Sequence, residues 1–468
     1  MKPVLRVDDM RAVDADALGA VSEETLVERA GTAVATWAIR LLGGTYGRHV
    51  VVVAGKGNNG ADGRVAAARL RARGAKVTVV EAADAPARFG RPGTVDLLID
   101  AAYGTGFRGT YRAPAVPAGV PVLAVDIPSG VNGDTGEACG EPLRADLTVT
   151  FAALKTGLLQ GDGLLLAGQV EVADIGLDVS RARMWVVEDS DVAALLLPRP
   201  RDAHKWQSAV AVVAGSPGMT GAAGLCARAA YRAGAGMVRL GIPGGDPADL
   251  PVSEAVGTPL AVDGWSTAAL AMAERCKALV VGPGLGRAAT TVADVRDLVG
   301  RATVPVVVDA DGLYALGTGD EIAAALGSVP RAAPGARERS AVLTPHDGEF
   351  ARLSGAAPGP DRISAAQELA RRGGAVVLLK GPTTVVADPA GNVLLATAGS
   401  PRLATAGTGD VLSGAIGAFV ARGVEPHHAA ALAAHVHGRA AELGPSEGLV
   451  AGDLADLLGR WLSGVRRA

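Results

Sequence analysis

The sequence predicts an α/β protein of two domains, each built on a largely parallel sheet. Three observations carry this. Short apolar runs alternate with helical segments along the chain, the pattern of strands covered by helices on both faces. The chain holds 64 glycines in 468 residues, about double the usual ~7%, and its glycine clusters follow the apolar runs. After a proline- and charge-rich stretch at 198–206 (PRPRDAHKW) the alternation begins again, so a linker is expected there. The predicted domains are 1–198 and 199–468.

Bulk composition narrows the class. Hydrophobic residues make up 49% of the chain, too many for a mostly disordered protein. Glycine has no every-third-residue period, so a collagen-like fibre is excluded. The formal charge is −3, which gives no strong field for nucleic acid or an anionic membrane. Three scattered cysteines, Cys139, Cys226 and Cys276, form neither a disulfide framework nor a zinc pattern. The first residues, MKPVLRVDDMRAVDADA, have no apolar leader core. The longest charge-free stretch, Trp206 to Ala227, carries Gly, Ser, Pro, Thr and Gln and is not a span of about 20 apolar residues. A cytoplasmic protein that acts on small molecules is expected. Apolar α/β domains of this kind commonly associate, so a homo-oligomer is expected as well.

The elements follow in order. Apolar positions spaced three and four apart over 8–42 (Leu18, Val21, Leu26, Val34, Trp37, Leu41) predict one or two helices. His49–Ala54 (HVVVVA) reads as a doubly covered strand. It ends in GKGNNGADG, with a helix from about Gly60 to Arg73. Further strands are expected at Lys76–Val80, Val95–Asp100, Pro121–Asp126 and Leu147–Phe151. In the second half, Ala209–Ala214 runs into GSPGMTGAAG, Ala278–Val281 into GPGLG, and Val304–Val308 into DADGL. Ala341–Leu343 leads to TPHDGEF and Ala375–Leu379 to KGPTTVV. Residues 331–339 read as an exposed loop. Helices are expected near 407–421, 427–442 and 451–465.

In open α/β sheets, ligands bind beyond the carboxyl ends of strands. Glycine there permits positive φ and close backbone approach. Any one cluster is as well explained by a tight turn, but six at successive strand ends are not. In the first half, Asn58 and Asn59 stand before a helix with Asp62 in its first turn. Amides serve hydroxyls, a nicotinamide-type amide or a hard cation; the plainer reading is a turn residue and a favourable helix N-terminal charge. Asp100 and Asp126 end adjacent strands, and with Asn59 and Ser129 they offer oxygen atoms for a monovalent cation. Bonds to neighbouring loop amides would equally account for them. Lys155 follows the run TVTF; an isolated lysine there either snorkels to the surface or is poised for proton transfer.

GKGNNGADG, IDAAYGTGFRG, VDIPSGVNGDTG and VTFAALKTGL occur in this order. Together they resemble the NAD(P)H-hydrate epimerase domain, a Rossmann-like three-layer fold, over about residues 8–190. The resemblance implies that Asn58, Asn59, Gly60, Ala61 and Asp62 bind a hydrated dinucleotide. It implies the same of Gly104, Thr105, Gly106, Phe107, Arg108, Gly109, Thr110 and Asp126. A potassium ion would lie on Asn59, Asp100 and Ser129, and Asp126 and Lys155 would move protons. Ala61 stands where the family usually has glycine, and Asn132 where aspartate is common.

In the second half, GTGD (Gly407 to Asp410) opens an apolar helix. Unpaired N–H groups and the helix dipole at such a start favour an anion. A carboxylate beside them suits phosphoryl transfer to an alcohol, whose proton it would accept; a capping charge is the alternative. KGPTT (Lys380, Gly381, Pro382, Thr383, Thr384) follows a strand and suits a nucleotide phosphate, or else is a surface hairpin with a stray lysine. His346 precedes a helix and is as well explained structurally. His427, His428, His435 and His437 share one helix without an acidic or cysteine partner, and read as structural.

GSPGMTGAAG, GPGLG, VDADGL, LTPHDGEFARL, LKGPTTVV and GTGDVLSG, in order over about 201–465, resemble the ADP- or ATP-dependent NAD(P)H-hydrate dehydratase, a ribokinase-like fold. That match implies that Ala222, Gly286, His346 and Asp410 contact the hydrated dinucleotide. Lys380 to Thr384 and Gly409 would contact the adenine nucleotide. Asp410 is the implied catalytic base, with Mg²⁺ screening the phosphates. In fused two-domain versions the nucleotide is ADP, the co-substrate expected here, although no motif separates ADP from ATP or NADH hydrate from NADPH hydrate. The implied function is repair of damaged nicotinamide cofactors: epimerisation of the R and S hydrates, and dehydration of the S form. Two other readings compete. One is a small-alcohol kinase of the ribokinase-like class fused to a nucleotide-binding module, because kinases also carry GTGD. The other is a non-catalytic nucleotide-binding scaffold, against which Asp62, Asp126, Lys155, His346 and Asp410 argue.

Overall fold

The structure, a computed structural model, describes residues 1–89, 93–327 and 340–465; the loop expected at 331–339 lies outside them. Lys2–Met184 form one compact unit, and Trp185–Ala468 with Met1 form the other. The change of unit therefore falls between Met184 and Trp185, ahead of the expected linker at 198–206. The reason is burial: Val187, Val192 and Leu196 lie in the core of the second unit. The Asp189 carboxylate also holds His435 and Arg439 there, at 2.7 and 2.8 Å.

In the first unit a parallel sheet runs in the order Gln169–Ala173, Leu147–Phe151, Val122–Val125, Leu97–Ala101, His49–Ala54, Lys76–Glu81. HVVVVA explains its own position. Val50, Val52 and Ala54 enter one apolar cluster, with Leu26, Val34 and Ala38 of helix Glu23–Leu42. Val51 and Val53 enter another, with Phe89 and Tyr111. A strand covered on both faces has no place for a polar residue. The expected helical region at 8–42 is two helices, Val7–Ala17 and Glu23–Leu42, the second capped by the Ser22 side chain. From His49–Ala54 the chain goes to Lys76–Glu81 on one side and then to Leu97–Ala101 on the other. That reversal opens a crevice beyond the strand ends, next to Gly55 and Asp100.

The second unit orders its strands Val256–Leu260, Met237–Pro243, Ala209–Val213, Ala278–Val281, Val306–Val308, Ala341–Leu343, Val376–Leu379, Thr384–Ala387, Val393–Ala396. The last two are antiparallel additions; the others pair in parallel. The same reversal occurs between Ala209–Val213 and Ala278–Val281. Helix Thr408–Ala421 is buried at every position from Val411 to Ala421, as an all-round apolar helix must be. It packs on Gly221–Arg232 and Pro426–Glu442. All three cysteines are free. Among the described residues, no helix is long and apolar enough to cross a membrane.

Candidate functional site

Each unit holds one polar constellation at its reversal point. In the first, a cavity of about 650 Å³ opens beyond the strands and is lined by Asn58, Asn59, Asp62, Gly104, Thr105, Gly106, Phe107, Arg108, Asp126 and Lys155. The site begins with a tight junction. A Cβ on Gly60 would stand 1.9 Å from the Gly55 carbonyl oxygen. The first turn of helix Asn58–Ala72 can therefore lie directly on the strand end only with glycine there. This seats Asp62 on the cavity wall. Gly60 and Ala61 do not line the cavity, nor do Gly109 and Thr110.

Lys155 does not snorkel. Its side chain is 2% exposed and its Nζ lies 2.7 Å from Asp126 Oδ1. It also donates to Thr150 Oγ1 and the Phe151 carbonyl, both at 2.9 Å. Parallel pairing of Leu5 with Lys155 fixes its backbone. Asp126 adopts φ +67°, a conformation that costs a non-glycine residue energy and clusters at functional sites. Among the described residues, Asp62 has no ion-pair partner. Burial, then the negative charge of Asp126, pushes its carboxyl up to about 8, against the pull of Lys155. Asp14, raised by burial, shares this field.

Behind the wall, Asp100 is 1% exposed. Its carboxylate accepts from Ser129 Oγ at 2.6 Å, from the Ser129 N–H at 2.9 Å and from the Ala102 N–H at 3.4 Å. Burial raises its pKa against those hydrogen bonds. Among the described residues no cationic side chain pairs with it. Both polar side-chain atoms of Asn59 are buried and have no hydrogen-bond partner among the described residues. An orphaned amide and an uncompensated buried carboxylate fit a hard cation bound through oxygen.

In the second unit, Gly407 at φ +88° turns the chain into helix Thr408–Ala421. Lys380 is not a stray surface lysine: its Nζ lies 2.7 Å from Asp309 Oδ1, and Asp309 Oδ2 accepts from Ser413 Oγ at 2.7 Å. A Cβ on Gly409 would approach Lys380 Nζ to 3.3 Å, so KGPTT and GTGD meet over Asp309. Burial, then the Asp309 charge, pushes Asp410 up to about 7, with Lys380 pulling the other way. Thr383 Oγ1 is buried and has no partner among the described residues. His437 is held neutral by burial, its pKa lowered to about 4. Its Nε2 therefore donates to the Thr408 carbonyl at 2.9 Å, pinning the helix start. Gly286 N–H and Arg287 Nε bind Asp311 at 2.9 and 2.8 Å, and Ala222 packs beside Gly284. His346 Nδ1 accepts from the N–H groups of Gly348 and Glu349. It thus caps helix Asp347–Ser354 and also lines a small hollow with Arg287 and Tyr314.

Residues 210–463 match the family model described as NAD(P)H-hydrate dehydratase, and residues 23–88 and 81–157 match the YjeF-related protein N-terminus. A bifunctional NAD(P)H-hydrate repair enzyme of Mycobacterium tuberculosis is 40% identical, covering 92% of each chain. This chain belongs to that family. The enzyme of the same name from Escherichia coli is 33% identical over 97% of this chain and 92% of its own. Among solved structures, a ribokinase-like superfamily protein of Enterococcus faecalis aligns with a TM-score of 0.52 at 21% identity, covering 61% of this chain and 98% of that one. Its likeness shows the ribokinase-like fold of the second unit.

The two constellations lie on motifs read from the sequence, but several residues that the fold brings to them do not. Met10, Asp14, Leu26 and Ala30 of the two N-terminal helices also line the first cavity; the helical periodicity marks only their apolar face. Asp309 lies in the recognised string VDADGL, at a strand end like Asp100 and Asp126, and that parallel is the signal for it. Ser413 and His437 carry no local signal, since only tertiary packing brings them to the site.

Proposed function

We propose that this chain repairs hydrated NAD(P)H in two steps, one in each unit. The supporting observation is that each unit has its own carboxylate–lysine station at its own sheet reversal: Asp126 with Lys155, and Asp309 with Lys380 beside Asp410. A kinase fused to a nucleotide sensor would not need proton-transfer groups in the first unit. The non-catalytic scaffold has no use for either station.

In the first unit, the hydrate's ring carbon 6 bears a hydroxyl next to the ring nitrogen. Asp62, on the cavity wall with its carboxyl raised to about 8, would protonate that hydroxyl. The nitrogen lone pair then expels water. Water returns to either face and gives up its proton through Asp126 and Lys155, so the R and S forms interconvert. Asn58 and the Gly104–Thr110 loop hold the dinucleotide. Asn59, Asp100 and Ser129 would hold K⁺, which when bound supplies the positive charge that the buried carboxylate lacks.

In the second unit, Asp410 takes the proton of the S-hydrate hydroxyl. The oxygen attacks the terminal phosphorus of ADP, and AMP leaves. The ring nitrogen then expels phosphate, carbon 5 loses a proton and NAD(P)H is restored. Lys380–Thr384 and Gly409 would hold the nucleotide, with the first N–H groups of helix Thr408–Ala421 offered to its phosphates. Asp410 lies within the field of Asp309, whose pairing with Lys380 leaves a net negative charge between them, and such a pair of carboxylates fits a hard divalent cation. Asp309 and Asp410 would hold Mg²⁺, which when bound screens the phosphate charge. Ala222, Gly286 and His346 complete the hydrate side.

Mixed R and S hydrates, incubated with the protein, Mg²⁺ and either ADP or ATP, test this. Both epimers should disappear and absorbance at 340 nm, the reduced-nicotinamide band, should recover. A stable phosphorylated alcohol as product would favour the kinase instead.

A further inference from the structure

Helix Val7–Ala17 carries four aspartates, and three of them, Asp8, Asp9 and Asp16, are exposed. Asp14 is the exception. It is half-buried and lines the first cavity, together with Met10 one helical turn earlier. Residues four apart share a helix face, so this face of the helix is turned into the cavity. Backbone contacts fix that placement. Leu5 pairs in parallel with Lys155, and the Val7 N–H donates to Asp134 Oδ1 at 2.9 Å. The helix therefore starts beside the strand that carries Lys155.

Two observations set Asp14 apart from a solvated helix charge. A carboxylate ordinarily lies in water or against a partner. Among the described residues, the Asp14 carboxylate has no hydrogen-bond or ion-pair partner, and apart from Glu23 the helical wall it shares is apolar, with Met10, Leu18, Leu26 and Val27. The second observation is what lines the rest of the cavity: Asp62, Asp126 and Lys155, from helix Asn58–Ala72 and the strand ends. Burial raises the Asp14 carboxyl, against the pull of Lys155 and with the push of Asp126, so these groups share one field.

Epimerisation needs proton transfer on both faces of the ring. Once the hydroxyl has left as water, carbon 6 and the ring nitrogen form a flat C=N⁺ group. For inversion, the new C–O bond must form on the face opposite the one that lost its oxygen, and the entering water must give up a proton there. Asp62, Asp126 and Lys155 come from one part of the cavity wall and Asp14 from another. Granted the epimerase reading of this cavity, we propose that Asp14 is a further catalytic residue, the proton acceptor for water entering the ring face turned to helix Val7–Ala17. In the reverse direction the protonated Asp14 donates to the departing hydroxyl on that face, and Asp62 acts on the other. Each inversion moves one proton from one carboxyl to the other, and water in the cavity carries it back.

The test gives the full chain each hydrate epimer separately, in H₂¹⁸O and without nucleotide, so that dehydration is idle. Chromatography reads epimerisation and mass spectrometry reads ¹⁸O entering at carbon 6, each above the enzyme-free rate. The parent should do both with either epimer. Asp14→Asn should slow epimerisation about 10²–10⁴-fold. One epimer should still take up ¹⁸O with its configuration retained, because its oxygen leaves and returns on the Asp62 face; the other should not exchange. That retained exchange also shows the cavity intact. Asp62→Asn should reverse which epimer exchanges, and Asp14→Glu should recover part of the lost rate. Epimerisation at the parent rate in Asp14→Asn, or equal loss of exchange from both epimers, overturns the proposal. A parent protein that interconverts neither epimer overturns the epimerase reading itself, and the role of Asp14 with it.

Discussion

Lys155 Nζ lies 2.7 Å from Asp126 Oδ1, with the lysine 2% and the aspartate 15% exposed. Thr150 Oγ1 also donates to this oxygen, at 3.0 Å. A buried ion pair is a weak source of stability, because desolvation offsets most of its attraction. Asp126 also holds φ +67°. A pair that adds little stability, on strained backbone, at the wall of a cavity, is what a proton-transfer site requires.

Replacing Asp126 by Asn keeps the shape and removes the exchangeable acid. Interconversion of R and S hydrates should fall by about 10²–10⁴-fold, the usual worth of general acid–base catalysis. ADP-dependent loss of the S form should be unchanged. Chromatography of the two epimers reads both. Epimerisation at the parent rate in this variant would sink the role of Asp126.

Asp62 sets a pH dependence. Its carboxyl is pushed from 3.8 up to about 8 in the folded protein, by burial and then by Asp126. The folded state therefore holds a proton that the unfolded chain releases. The stability linked to this proton is complete below pH ~4 and is lost as pH rises through about 8. Asp62→Asn removes that loss. Its urea midpoint should fall less than the parent's between neutral and alkaline pH, while its epimerase kcat drops at every pH. In the parent, epimerase activity should decline above about pH 8. Equal stability slopes in the two proteins would refute a protonated Asp62.

The sheets were legible because burial on both faces leaves a continuous apolar run, as in HVVVVA. Gln169–Ala173 was missed: QVEVA sits at a sheet edge and alternates polar with apolar residues. Met237–Pro243 was missed because Arg239 and Gly241 interrupt it; Arg239 is satisfied by the Met272 carbonyl at 3.0 Å, a partner no local pattern reveals. In the sites, motif residues at strand ends were readable. Asp309, which anchors Lys380, was passed over although its strand-end position matches that of Asp100 and Asp126, because its lysine partner lies 71 residues away in the sequence. The acidic partners of His428 and His435, Glu425 and Asp189 at 3.0 and 2.7 Å, were overlooked because one belongs to the helix cap and the other to a segment far away in the sequence.

Potassium should matter to the first unit alone. With Asp100 buried and Asn59 without a partner, replacing K⁺ by tetramethylammonium should slow epimerisation several-fold and lower the thermal midpoint. Asp100→Asn should abolish both responses, since the charge that recruits the ion is gone. Dehydration of purified S-hydrate should be indifferent to K⁺ in either protein. A K⁺ response that persists in Asp100→Asn would place the ion elsewhere.

In the second unit, Asp410 must be ionised to accept the hydroxyl proton. With its carboxyl raised to about 7, the dehydration rate should climb as pH rises through 7 and then level. Asp410→Asn should lose about 10²–10⁴-fold and leave epimerisation intact. Asp309→Asn separates the two causes of the raised value. It removes the negative neighbour, so the rising limb should move to lower pH. It also frees Lys380, so the plateau should fall and the apparent KM for ADP should rise. If the limb stays at the parent's pH while the plateau falls, burial alone sets Asp410, and Asp309 acts only by holding Lys380.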